Sequence, residues 1–206
     1  WQIKKVKYVL KRGKDGIKIG PFGSSLKLDE MDTSFPYKVY GQENLIKEDF
    51  NVGSRFINYN KFKQMKQYQL LENDIAISMM GTIGKSTVIP SDITIGIMDS
   101  HLIRLRIDGA IADVNFLNLV IRESAYIKEQ LNIYSNGSIM SGLNSTIIKN
   151  LLVVLPDLLN QKELIKLLNI KSDEFNTLIN VNKRQIQKLK QAKQSLISEA
   201  VTGKID

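Results

Sequence analysis

NQKELIKLLNIKSDEFNTLINVNKRQIQKLKQAKQSLISEAV, residues 160–201, contains neither glycine nor proline and is rich in Leu, Ile, Lys, Gln and Asn. Such a composition, uninterrupted over 42 residues, reads as one long helix. Ile165, Leu168, Ser172, Phe175, Ile179, Asn182, Ile186, Leu189, Lys193 and Leu196 follow strict 3-4 spacing, the pattern of a coiled-coil seam. A neighbouring register through Leu164, Leu168, Phe175, Leu178, Leu189, Ala192 and Leu196 is as apolar, so the stripe is broad. At 1.5 Å per residue the rod is roughly 60 Å long, more than one small domain can cover. The seam therefore calls for a second helix, from elsewhere in a longer polypeptide or from another copy. Ser172, Asn182 and Lys193 would set its register, and Gly203 is a stop.

Upstream of Pro156 the text is different. Short Ile-, Val- and Tyr-rich runs at residues 37–40, 55–58, 74–79, 86–89, 93–97 and 101–107 alternate with Gly, Asn, Asp and Ser. Helical windows interrupt them at 115–132, with Phe116, Leu117, Leu119, Val120 and Ile127 on one side, and at 146–150. The expected fold is thus α+β: a mixed α/β globular domain with a twisted sheet core over residues 1–156, then the long helix over 157–206. Trp1-Gln2-Ile3 reads as the start of a strand in a chain cut from a longer one.

The 206 residues hold no cysteine and a single histidine, which excludes a disulfide scaffold, thiolate zinc and cysteine catalysis, and suits a reducing, cytoplasmic setting. No run approaches the length of a membrane span. Lys and Arg number 29 against 21 Asp and Glu, a net charge of +8 that makes a polyanion the first partner to consider. The excess is spread over both parts. It is densest at Lys4, Lys5, Lys7, Lys11, Arg12, Lys14 and Lys18, which would supply several phosphate contacts if folded onto one face and otherwise form a solvated surface.

Catalytic patterns are mostly lacking. Gly81-Thr82-Ile83-Gly84-Lys85-Ser86 misses the glycine of a phosphate-binding loop, since Met79 stands where it is needed. It reads as a turn between strands with Thr82, Lys85 and Ser86 available to phosphate or base. Asp99-Ser100-His101 has the residue types of a hydrolase relay, but neighbours on a strand face opposite ways. His101 is either a satisfied sheet histidine or one that faces nucleic acid. A nuclease built on Glu72, Asp74 or Asp99 has no supporting metal-ligand spacing. Three segments combine flexible backbone with polar readers: residues 19–27 (Gly20, Phe22, Ser24, Ser25, Lys27, beside Lys18), 40–44 (Tyr40, Gln42, Asn44) and 136–144 (Ser138, Met140, Ser141, Asn144). Each could equally be turn chemistry.

Together, Trp1-Gln2-Ile3-Lys4-Lys5-Val6, Gly20-Pro21-Phe22-Gly23-Ser24-Ser25-Leu26-Lys27, Tyr40-Gly41-Gln42-Glu43-Asn44, Gly81-Thr82-Ile83-Gly84-Lys85, Ser138-Ile139-Met140-Ser141-Gly142-Leu143-Asn144 and the ending Lys193-Gln194-Ser195-Leu196-Ile197-Ser198-Glu199-Ala200-Val201-Thr202-Gly203-Lys204-Ile205-Asp206 resemble one half of the DNA-specificity (S) subunit of type I restriction-modification systems. The resemblance runs nearly the whole chain. It departs at Asn160, where the family's Pro-x-x-x-Glu-Gln has Glu. It implies a target recognition domain at 1–156 and a spacer helix at 157–206 that pairs with a second half-subunit or a homodimeric copy. It further implies a noncatalytic chain that reads one half of a split site in double-stranded DNA. Methyltransferase subunits that use S-adenosylmethionine and a restriction subunit that uses ATP and Mg would be its partners, with no cofactor in this chain. The competing reading is an interaction module, such as an anti-restriction remnant, that docks on methyltransferase subunits without reading sequence.

Overall fold

The computed structural model describes residues 1–79, 84–136 and 143–203, in two compact units, Trp1–Lys162 and Glu163–Asp206. Among the described residues of the first, nine strands form three small sheets. β1 (Gln2–Lys5) pairs antiparallel with β9 (Leu152–Leu155), Gln2 opposite Leu155 and Lys5 opposite Leu152. A four-stranded antiparallel sheet has the order β2 (Ile17–Ile19), β8 (Leu102–Arg106), β5 (Asp74–Ser78), β6 (Ser86–Val88). The third sheet sets β3 (Tyr37–Tyr40) between β4 (Phe56–Ile57), antiparallel, and β7 (Gly96–Met98), parallel.

Every residue of β5 and residues Leu102, Ile103, Arg104 and Leu105 of β8 are buried, as central strands covered on both faces must be. Alternation divides the core. Tyr40 of β3 and Met98 of β7 join Ala76 and Leu102 of the four-stranded sheet in one cluster, with Leu45 and Leu70. Their neighbours Val39 and Ile97 face the other way, onto Phe62 and Met65 of the segment α2 (Tyr59–Gln64) and its C-cap. Each such aliphatic side chain contributes about 1.5–3 kcal/mol by leaving water.

The mixed α/β sheet core and long terminal helix expected from the sequence are present. The window at 115–132 is two helices, α3 (Val114–Glu123) and α4 (Ala125–Asn136), parted at Ser124, whose backbone is extended. Periodicity runs through such a break because Ser124 keeps a helical carbonyl bond on either side, Ser124 N to Val120 O and Lys128 N to Ser124 O. Asp113 caps α3, its carboxylate accepting from the Asn115 and Phe116 amides. The segment read as a loop at 40–44 is the end of β3 and the start of α1 (Gln42–Lys47), with Gly41 as N-cap. α5 (Ser145–Asn150) follows its cap Asn144.

α6 (Leu158–Val201) runs 44 residues, about 66 Å. At its start Asp157 accepts the Asn160 amide at 2.9 Å and also the Asn160 side-chain amide. Asn160 thus answers the cap carboxylate, whereas a Glu at this place would reach back to the cap amide. Gln161, fully buried, accepts from Asp113 N at 2.8 Å and donates to Pro156 O at 2.9 Å. Residues 166–203 are all exposed. Among the expected seam residues Ile165 is half-buried, and Leu168, Phe175, Ile179, Asn182, Ile186, Leu189 and Leu196 face solvent. Gly203, at φ 67°, stops the helix as expected. No helix among the described residues is long and apolar enough to cross a membrane.

Candidate nucleic-acid interface

The turn between β7 and β8, Asp99-Ser100-His101, is the point where separate segments meet. Asp99 organises it: one carboxylate oxygen accepts the His101 amide at 2.9 Å, the other accepts Arg55 Nη1 at 2.9 Å. Arg55 Nη2 also donates to Glu43 at 2.6 Å. Burial works against the Arg55 charge, but the two carboxylates more than offset it and hold its pKa above the usual value. The guanidinium lies so close over Gly41 that a Cβ there would come within 2.2 Å of Nη2 and 2.7 Å of Asp99 Oδ2. Only glycine fits.

Gly20 abuts the same turn from the other side. Its amide donates to Leu102 O at 2.9 Å, and a Cβ would lie 1.7 Å from the Asp99 carbonyl oxygen. Beyond it, buried Pro21 precedes Phe22, which is 85% exposed, and a single 3-10 turn (Gly23–Ser25) with Ser24, Ser25 and Lys27 exposed. Met79, at the end of β5, donates to His101 O at 2.9 Å, and Leu143 donates to Met79 O. Gly84, at φ 80°, closes onto Ser78 O where the chain enters β6. The His101 imidazole is 46% exposed, with Nδ1 3.6 Å from Asp99. Asp99-Ser100-His101 is therefore a turn and not a strand, which corrects the sequence reading, and its aspartate serves backbone and arginine.

The segments flagged in the sequence thus come together, though several flagged side chains do not face outward. Tyr40 is fully buried, its hydroxyl donating to Thr94 O at 2.6 Å and its pKa pushed up to about 12 by burial. Asn44 is fully buried too: it accepts from Gly41 N and donates to Asp49 O and Val52 O, which fixes the turn after α1. Ser86 is buried in β6, and Gln42 is largely covered with a buried Oε1. These are corrections: polar residues selected for base readout are in the interior. Gly20 acts through its backbone, and Asn144 caps α5 by accepting from Thr146 N and Ile147 N. Lys85 donates to Ile46 O at 2.8 Å, and Lys18 lies on β2 with its ammonium 5.6 Å from the Tyr68 ring. Thr82, Ser138, Met140 and Ser141 lie outside the described residues.

Sequence reasoning missed a second network. Arg104, 1% exposed, donates to the Asp15 carboxylate at 2.6 Å and to Gln69 O at 2.8 Å. Arg106 donates to Asp74 at 2.9 Å and to Asp15. Asp74 stands opposite Arg106 in register, and burial pushes its pKa up. For Asp15, burial is the largest single influence and raises the pKa, but Arg106 and Arg104 together outweigh it and lower the value. The i, i+2 spacing of the arginines in a strand was a usable signal, because it puts both on one face. Among the described residues no group of three or more His, Cys, Asp or Glu is placed to hold a metal ion.

No curated protein sequence matches the chain significantly. Among solved structures, a chain from work on complex assembly and conformational transition of the type I R-M system aligns with TM-score 0.70 and 14% identity over 97% of this chain and 45% of its own length. The HsdS subunit from Thermoanaerobacter tengcongensis aligns with TM-score 0.58 and 14% identity, over 84% of this chain and 38% of its own. The chain spans less than half the length of either, and the likeness is one of fold. The family model "Type I restriction modification DNA specificity domain" matches residues 23–191, most of the chain, and to that family the chain belongs.

Proposed function

We propose that residues 1–156 read one half of a bipartite site in double-stranded DNA for a type I restriction-modification complex. The observation that supports this best is the convergence of segments distant in sequence on one turn: Gly20, the end of β5 at Met79, His101 and Leu143 are joined by main-chain hydrogen bonds or direct backbone contact. Backbone held this closely can present Phe22, Ser24, Ser25, Lys27 and His101 as a fixed set, and base readout depends on donors and acceptors fixed relative to the groove. The basic excess supplies phosphate contacts that orient the duplex. α6 pairs through its apolar seam with a second such helix and fixes the spacing between half-sites. The chain positions methyltransferase and restriction subunits and performs no chemistry itself.

The test is genome-wide adenine methylation in cells supplying cognate methyltransferase subunits, with residues 1–156 native or exchanged for another recognition domain. A change confined to one half of a split motif supports the reading. An unchanged motif overturns it and favours a docking module that does not read sequence.

A further inference from the structure

At the other end of β8 from His101, about 20 Å along the strand, Lys7, Lys11, Arg12, Lys14 and Lys149 line a groove of about 330 Å³ with Asp108 as its one carboxylate. The loop that carries three of these cations is built. Lys11 N donates to Arg106 O and Arg106 N to Gly16 O, both at 2.9 Å, so the loop is fastened at each end to a single residue of β8. Gly13 takes φ 92°, and a Cβ on Gly16 would lie 2.2 Å from Lys11 O. The acid of the loop, Asp15, is turned onto Arg104 and Arg106, so its charge is spent on the strand and not on the neighbouring lysines. Asp108 accepts Ala110 N at 3.1 Å.

None of the five cations has a carboxylate within 4 Å among the described residues, whereas Lys61 and Lys85 elsewhere do. Five like charges gathered around a single carboxylate repel one another, and an anion in the groove relieves that repulsion. Tyr8, exposed at the rim, has the Lys7 ammonium 4.8 Å from its ring.

We infer that this groove is a sequence-neutral site for the phosphate backbone of duplex DNA, separate from the segments at His101. The inference rests on the DNA-reading function proposed above. Duplex DNA is favoured over an acidic protein surface because its backbone presents a charge about every 1.7 Å of helix axis and so can satisfy closely spaced cations wherever they fall.

The test measures anisotropy of labelled duplexes, with and without the methylated motif, against the full chain between about 50 and 200 mM salt. In a Lys11→Gln/Arg12→Gln/Lys14→Gln variant the slope of log K against log salt falls by about 2 to 3, since each lost phosphate contact removes about 0.9. Affinity for both duplexes drops by the same factor and the methylated motif stays unchanged. Lys47→Gln/Lys63→Gln/Lys66→Gln, with the same loss of charge outside the groove, changes the slope less. Equal effects of the two triple variants, an unchanged slope, or a change of motif each overturn the site. So does loss of methyltransferase binding at intact DNA affinity, which would mark the groove as a protein-docking face. A native chain that binds neither duplex overturns the DNA-reading function as well, whereas a native chain that reads its motif beside an indifferent groove variant overturns the groove alone.

Discussion

At the scale of single residues, the candidate interface separates polar groups that hold shape from groups that are exposed. Asn44 belongs to the first kind, because all three of its hydrogen bonds go to backbone around α1. Asn44→Ala leaves one amide and two carbonyls without partners and costs about 2–3 kcal/mol, measured as a lower urea midpoint at unchanged m-value. Phe22→Ala stays within about 0.5 kcal/mol of the native stability yet weakens DNA binding, because Phe22 is exposed beside the turn. Charge offers a further check. The folded-state pKa of Asp15 lies below its ordinary 3.8, so its contribution is present above pH 3.8 and is lost as pH falls through the lowered value. Asp74, raised by burial, has the opposite sign and favours the folded state where it is protonated. In Asp15→Asn the drop in urea midpoint below pH 3.8 is shallower than in the native chain, and an equally steep drop would show that the arginines do not hold this carboxylate.

Among elements, α6 makes the most direct prediction. Ile179 and Ile186 lie on an exposed apolar seam of a helix with no buried residue after Gln161. Ile179→Asp/Ile186→Asp abolishes self-association or assembly with methyltransferase subunits in analytical ultracentrifugation, and assembly at native affinity would count against helix pairing. The helix was legible in the sequence because 3-4 spacing over ten positions needs no tertiary information. β3 was legible too, as a short Tyr- and Val-rich run. The break at Ser124 was not, since one extended residue leaves the apolar period on both sides nearly in phase. The start of α1 was hidden for another reason: Gly41 reads as loop flexibility, whereas the structure uses it as room for the Arg55 guanidinium. Tyr40, Asn44 and Ser86 show the same limit, for nothing local distinguishes a polar residue that binds a partner from one that satisfies buried backbone.

On the scale of the whole molecule, the two units draw stability from different sources. Trp1–Lys162 contains the buried clusters and the buried Gln161, so a chain ending at Lys162 keeps a cooperative unfolding transition. Glu163–Asp206 has no buried core among its described residues. As a separate peptide its helicity, followed by circular dichroism, rises with concentration as copies pair, and concentration-independent helicity would mean that the seam is not what stabilises it. The β1–β9 ladder has a consequence for inheritance as well as for folding. Because Gln2 and Leu155 face each other across one pair of strands, the backbone enters and leaves the sheet-bearing body at adjacent points. A body whose first and last strands pair in this way can be replaced by another with the same two-strand base. Recombination then moves the whole body as a cassette, with the paired strands as its seam.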